Sequence, residues 1–224
     1  MDRSPVKQSH IPYMPPANRL DAVIVLAGGT AHRLGKVSKP EYRVAGYRLL
    51  DLVLGEICAI APAARIVVVG PPQLSVPPGV ILTNEDPPLG GPLAGIAAGV
   101  AALGELPADG VLGLATCDAP RAIGCFIPLL ARMAGSPQCA GAVPRAQDRI
   151  QYVHGVYRWA WIRQAIEKES QVVRNGSIRQ AFAQLPLCVV DCDSSDFTDV
   201  DTVADAQQLA EQIRRGVYVP RPVK

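Results

Sequence analysis

Nothing in this 224-residue chain reads as a segment that enters or crosses a membrane. No apolar run approaches the ~20 residues needed to span a bilayer. The first residues, with Asp2, Arg3 and Lys7 among Pro5, Pro12, Pro15 and Pro16, lack the apolar stretch of a secretory signal. A cytoplasmic location is the resulting expectation. There is also no dense cluster of Lys and Arg. With a formal net charge of +2, neither a nucleic-acid track nor a membrane patch is indicated. The six cysteines are scattered without framework spacing. Cys188 and Cys192 come closest to a pair, but with no second pair and no nearby histidine they make poor zinc ligands, so the cysteines are expected to act as small hydrophobes.

What the chain does have is apolar surface. Hydrophobic residues make up 49% and charged residues 19%, enough for a sizeable core without staples. These hydrophobes are mostly Ala, Val, Leu and Ile, which suit strands buried on both faces. Residues 1–20, polar and proline-bearing, read as an arm that joins no sheet, and residues 21–224 as one domain without repeats or low-complexity linkers.

Within that domain, short apolar runs alternate with segments of helical period, the pattern of βαβ units around a mostly parallel sheet. Strands are expected at Ala22–Ala27, Ile66–Val69, Val80–Thr83, Val111–Ala115, Tyr152–Tyr157 and Leu187–Val190. Helices are expected at Leu49–Ile60, at Leu93–Leu103 opening on Pro92, and at Phe126–Met133, Ala160–Glu169, Ser177–Gln184 and Thr202–Arg215. The fold class is therefore α/β, a Rossmann-like three-layer α/β/α sandwich.

Two places carry chemistry. The loop Leu26-Ala27-Gly28-Gly29, running on to Arg33 and Lys39-Pro40, follows the first strand directly. Gly28 and Gly29 allow open backbone dihedrals and close approach of an anion to main-chain amides. Arg33 and Lys39 add positive charge that would offset a triphosphate and the pyrophosphate leaving it. The spacing is neither that of a Walker loop nor of a dinucleotide-binding fingerprint, which removes the main support for ATPase and dehydrogenase readings. The second place is Asp118, where Thr116-Cys117-Asp118 ends the Val111–Ala115 run. In open α/β sheets, ligands gather at the carboxyl ends of strands. As an isolated residue, Asp118 also reads as a helix cap.

Together these segments resemble the glycosyltransferase-A-like nucleotidyltransferases, and within them the molybdenum cofactor guanylyltransferases. The resemblance rests on L-A-G-G, R-x-G and K-P in the first loop, Gly90-Gly91-Pro92-Leu93-Ala94-Gly95, Cys117-Asp118-Ala119-Pro120, Tyr152–Arg158 and Asp199-Val200-Asp201-Thr202. It spans about residues 21–210. It implies transfer of GMP from GTP to molybdopterin with release of pyrophosphate, by an Mg2+-dependent enzyme that contacts molybdoenzymes or other cofactor-assembly proteins. It implies nucleotide contacts from Leu26, Ala27, Gly28, Gly29, Arg33, Lys39, Asp86, Gly91 and Pro92. Arg33, Lys39 and Asp118 are then catalytic, and Asp118 and Asp201 hold the metal. Two features depart from the family pattern: Ser38 stands where an acid usually precedes the lysine, and Asp occupies 199 and 201 where Asn is common. Asp201 reads equally as a helix cap, and Asp86 as a solvated turn carboxylate. The alternatives are a cytidylyltransferase or sugar-phosphate nucleotidyltransferase on the same fold, or a non-catalytic nucleotide-binding protein. His154 reads as a satisfied core residue more than an acceptor contact, Trp159 and Trp161 as packing anchors more than a pterin platform. Arg145, Asp148 and Arg149 read as a polar surface loop.

Overall fold

A computed structural model describes residues 19–28, 38–85, 90–168 and 176–223. Its central strands are β1 Ala22–Leu26, β4 Arg65–Val69, β5 Ile81–Thr83, β6 Val111–Thr116, β7 Gly141–Ala146, β8 Arg149–Ile150, β9 Val156–Arg158 and β10 Leu187–Asp191. They form one sheet in the order β10-β7-β9-β6-β1-β4-β5, with β8 paired to β7. Pairing is parallel for β1 with β4 and β6, β4 with β5, and β7 with β10. It is antiparallel for β9 with β6 and β7, and for β8 with β7. Six strands thus point one way, and β8 and β9 run against them. A separate hairpin joins β2 Arg43–Val44 to β3 Tyr47–Arg48.

Alternation along the strands sends side chains to both faces, and each face is buried. Val23 and Val25 pack with α1 (Leu49–Ile60) and α3 (Phe126–Ala134). Ala22, Ile24, Val67 and Val69 pack with α2 (Pro92–Leu103), α4 (Trp159–Lys168) and α5 (Ile178–Phe182). The expected three layers are present. Gly99 lets α2 approach β1: a Cβ there would lie 2.7 Å from Ile24 Cγ2. The last helix, α6 (Val203–Arg214), covers the outer side of α1 through Leu49, Leu52, Ala206 and Leu209. Leu20, assigned to the arm from sequence, is buried in the core.

Three sequence expectations are corrected. The run Tyr152–Tyr157 is a 3-10 turn, Tyr152–His154, followed by the reversed strand β9. The turn closes through His154 N–H donating to Gln151 O, and the Tyr157 hydroxyl donates to Tyr152 O at 2.6 Å. Strand β7 was not among the expected strands, and it holds Pro144, which cannot donate to a ladder. Pro144 sits where the ladder on this side of β7 changes partner: Gly141 and Ala142 pair with β9, and Arg145 and Ala146 pair with β8. The cysteines, read as small hydrophobes, include a disulfide between Cys139 and Cys188, 5.9 Å apart at Cα. Parallel pairing of β10 with β7 sets Cys188 opposite Ala142, just beyond the loop that carries Cys139; a sequence separation of 49 hid the pair.

Candidate active site

Because β1, β4, β5 and β6 are parallel, their carboxyl ends open on one edge, and Gly28, Glu85 and Asp118 emerge there after β1, β5 and β6. Ala27 N–H donates to Val69 O and Cys117 N–H to Leu26 O, extending the ladder one residue past the strands and fixing the start of each loop. Between these loops lies a cavity of about 350 Å³. Leu26, Val69 and Thr116 form its floor, Gly91, Pro92 and Gly95 one wall, and Glu85 and Asp118 bring carboxylates to it. Gly91, at φ 88°, turns the chain into α2, and Pro92 occupies the first turn, where its missing N–H costs nothing. The amino end of α2, with its unpaired amides and positive dipole end, therefore faces the cavity and suits an anion. Gly95 keeps the helix close to β1: a Cβ would stand 3.1 Å from Leu26 Cδ2.

Beside the cavity, Lys39 Nζ donates to Asp118 Oδ2 at 2.5 Å and also to Asp201 Oδ1. Lys39 leads a 3-10 turn, Lys39–Glu41, anchored by buried Pro40. Asp201 is brought in because Val200 N–H donates to Asp118 O. Burial by itself would lower the Lys39 pKa, but the charges and hydrogen bonds of Asp118 and Asp201 outweigh it, and the ammonium is held well above its ordinary range. Asp199 is pushed up to about 6, first by desolvation and then by the charges of Asp118 and Asp201, although it keeps access to solvent. Among the described residues, Asp118 Oδ1 is buried with no hydrogen-bond partner.

The cap readings of these acids do not hold. Ala119, not Asp118, precedes the turn Pro120–Cys125, and the Asp118 side chain goes to Lys39. Thr202 caps α6 in a reciprocal box with Asp205, which leaves the Asp201 carboxylate free for Lys39. His154 is buried on the same edge, its Nε2 3.5 Å from Thr116 Oγ1 and its ring edge-on to Phe197. Burial lowers its pKa to about 4, only slightly offset by the charge of Asp118, so at neutral pH it is uncharged.

Of the residues singled out from sequence, Leu26, Gly28, Gly91, Pro92 and Asp118 line the cavity, Ala27 is buried in the core between Leu26 and Gly28, and Lys39 and Asp201 adjoin the cavity through Asp118. Gly29, Arg33 and Asp86 lie outside the described residues. Trp159 is not brought to the site: it begins α4 next to Gly110, at the opposite end of β6 from Asp118. Arg145 and Arg149 belong to the β7–β8 hairpin, whose turn is Gln147-Asp148, and Arg145 pairs with Asp191 at 2.6 Å. That hairpin stands at the same carboxyl edge as Asp118. The residue sequence reasoning missed is Glu85. Its Oε2 accepts from Gly90 N–H at 2.8 Å, while Oε1 would lie 3.6 Å from a Cβ built on Gly28. An acid next to the expected Asp86 was the available signal.

A family model described as the MobA-like NTP transferase domain matches residues 23–188. The chain belongs to this family. As a MobA-like NTP transferase, it is a nucleotidyltransferase. Molybdopterin-guanine dinucleotide biosynthesis protein A from Archaeoglobus fulgidus superposes with a TM-score of 0.61 at 18% identity, covering 87% of this chain and 99% of that one. The 2-C-methyl-D-erythritol 4-phosphate cytidylyltransferase of Thermus thermophilus gives 0.60 at 20% identity, covering 88% and 99%. The inositol-1-phosphate CTP transferase of T. maritima gives 0.60 at 18% identity, covering 89% and 98%. No curated protein matches the chain at the sequence level. At such identities the structural neighbours share the fold of this MobA-like domain, including its mixed, mostly parallel sheet. They include both guanine- and cytosine-nucleotide proteins and so do not select a base. Among the described residues, no helix is long and apolar enough to cross a membrane.

Proposed function

We propose that this nucleotidyltransferase transfers GMP from GTP to the phosphate of molybdopterin and releases pyrophosphate. The observation that carries the transfer reading is the Lys39–Asp118–Asp201 cluster set against a cavity with a helix amino end on its wall. An oxygen of the acceptor phosphate attacks the α-phosphorus, a new P–O bond forms, and the bond to the bridging oxygen breaks as pyrophosphate leaves. Such a reaction asks for positioning and charge neutralisation more than for covalent participation. The amides of Gly28, Gly29 and the start of α2 would bind phosphate oxygens. Lys39, with Arg33 and Asp86 completing the nucleotide contacts, would offset the charge that grows on the leaving group.

Support for guanine comes from Glu85. Guanine presents two adjacent donors, N1–H and the exocyclic amine, and a carboxylate oxygen facing into the cavity is a fitting acceptor.

The residues present also fit a divalent cation. Asp118 keeps a buried oxygen with no partner among the described residues, and crowding among Asp118, Asp199 and Asp201 is of the kind a hard cation relieves. Among the described residues no group of three ligand side chains is preassembled for a metal, so Asp118 and Asp201 would share the cation with substrate oxygens. Bound Mg2+ would supply Lewis-acid polarisation and charge neutralisation at the phosphates.

The Arg145–Arg149 hairpin, at the same sheet edge, is the proposed side of approach for the acceptor. The residues ahead of the buried Leu20 are proposed as a separate arm that docks cofactor-assembly partners, the rest of the chain as one catalytic domain, and the cytoplasm as its location.

A cytidylyltransferase is the second reading, favoured by Ser38 in place of the usual acid before Lys39. Pyrophosphate release from GTP and from CTP, with Mg2+ and molybdopterin, decides between them. Release from GTP alone, lost in Asp118→Ala, is the expected result. Release from CTP alone would overturn the guanine assignment, and no release from either would leave a nucleotide-binding role.

A further inference from the structure

The disulfide Cys139–Cys188 is one of two cysteine pairs on the same face of the sheet. Cys125 and Cys192 both pack in the core cluster that contains that bridge. Cys125 is buried and opens α3, and α3 packs on β10; Cys192 follows β10 directly. The two thiols are neighbours, each perturbing the other's ionisation, where the turn Pro120–Cys125 and helix α3 pack on β10 and the turn that follows it. Cys192 is held in place by its N–H donating to Arg145 O, and it is partly exposed, so a reagent can reach it. Both thiols are free, whereas Cys139 and Cys188 are already joined.

The position of this pair relative to the active site gives it a consequence. Cys125 ends the turn Pro120–Cys125, which begins two residues after Asp118. Cys192 starts the segment that carries Asp196, Phe197, Asp199 and Asp201. At present the two stretches meet through packing of their 3-10 turns, the Arg121–Asp196 pair at 2.6 Å and the Val200–Asp118 hydrogen bond. These are noncovalent and partly exposed.

We infer that Cys125 and Cys192 are an oxidisable dithiol whose disulfide fastens the Asp201 segment to the turn following Asp118. The oxidant is a low-molecular-weight disulfide. The Cys192 thiolate attacks one of its sulfurs and expels one thiolate. Cys125, losing its proton, then attacks Cys192 Sγ and expels the second. One protein disulfide forms, and the reagent leaves as two thiols. Burial, and for Cys125 also the neighbouring Cys192 thiol and the nearby charges of Asp196 and Asp193, holds both thiols above their ordinary range. Exchange is therefore slow at neutral pH and quicker in mildly alkaline solution.

The test uses the full chain, oxidised glutathione in mildly alkaline buffer, an alkylating quench, and peptide mapping without reduction. The expected result is loss of two of the free thiols now at Cys58, Cys117, Cys125 and Cys192, with a Cys125–Cys192 linkage and Cys139–Cys188 intact. Cys192→Ser and Cys125→Ser each abolish that linkage. A glutathione adduct that persists on Cys192, a linkage to any other cysteine, or retention of all four thiols would overturn the pairing. Amide exchange over residues 193–202 is expected to slow in the oxidised chain while α2 is unchanged. Unaltered exchange there would overturn the fastening.

Discussion

Replacing Lys39 with Met should separate the charge role of this residue from its shape. Met keeps the stem and removes the ammonium, leaving Asp118, Asp199 and Asp201 facing one another. Breaking a fully buried pair from one side costs about 3–5 kcal/mol. Here the side chains of Lys39 and Asp118 keep 14% and 18% of their exposure and Asp201 keeps 52%. Water therefore hydrates part of the uncompensated charge, and about 2–3 kcal/mol is expected near neutral pH. The pH dependence has a definite sign. Asp199 already stands near 6, above its ordinary 3.8, and Lys39 is among the groups pulling it down. Without Lys39, Asp199 takes up its proton at a pH still further above that of the unfolded chain. The deficit of Lys39→Met relative to wild type must then shrink as the pH falls towards about 5. Mg2+ should also recover stability, since it binds the folded acids. Urea unfolding near neutral pH and near pH 5, with and without Mg2+, measures both effects. Pyrophosphate release should fall by roughly 10²- to 10³-fold. A variant with the wild-type midpoint near neutral pH, or a deficit that pH and Mg2+ leave untouched, would refute the electrostatic account of the cluster.

Three further outcomes are expected. His154 is held near 4 against an ordinary 6.5, so between those values the unfolded chain binds the extra proton and stability is lost as the pH is lowered, by up to about 1.4 kcal/mol per unit; subtracting the urea profile of His154→Gln from that of wild type isolates this slope. Glu85→Gln can still accept from Gly90 N–H but loses its charge, so calorimetry should show GTP affinity falling about tenfold with CTP affinity little changed. A chain truncated after Asp191 keeps every strand of the sheet but loses Asp201 and uncovers Val44, Leu49 and Leu52, whose burial is worth roughly 1.5–3 kcal/mol each; it should bind a hydrophobic dye and release no pyrophosphate, and a compact, active fragment would contradict this.

The sheet and helices were legible wherever local chemistry marks them. Leu49–Ile60 and Pro92–Leu103 have helical period and clear ends, and Val111–Thr116 is a continuous apolar run. The elements that stayed hidden break a local rule for a non-local reason. The β7–β8 turn puts Gln147 and Asp148 at φ 50° and 60° with no glycine between them, and the β2–β3 turn puts Ala45 at φ 50°. Pairing of the flanking strands holds these residues in the left-handed region that sequence signals reserve for glycine and asparagine.

The site divides in the same way. Asp118 could be found alone, because a carboxylate closing a buried strand lies at the functional edge of any parallel sheet. Its relation to Lys39 could not, since the two are 79 residues apart and Lys39 and Asp201 are 162 apart. Asp201 was ambiguous between cap and ligand for a reason the structure resolves locally. With Thr202 and Asp205 closing the helix end between them, Asp201 is released one residue upstream, and the hydrogen bond from Val200 to Asp118 turns it toward Lys39. The match to the family model ends at residue 188, ahead of this segment. Placement of the last acid therefore depends on α6 packing against α1 through Leu49, Leu52 and Leu209, so the site is completed by a part of the chain that contributes no strand to the sheet.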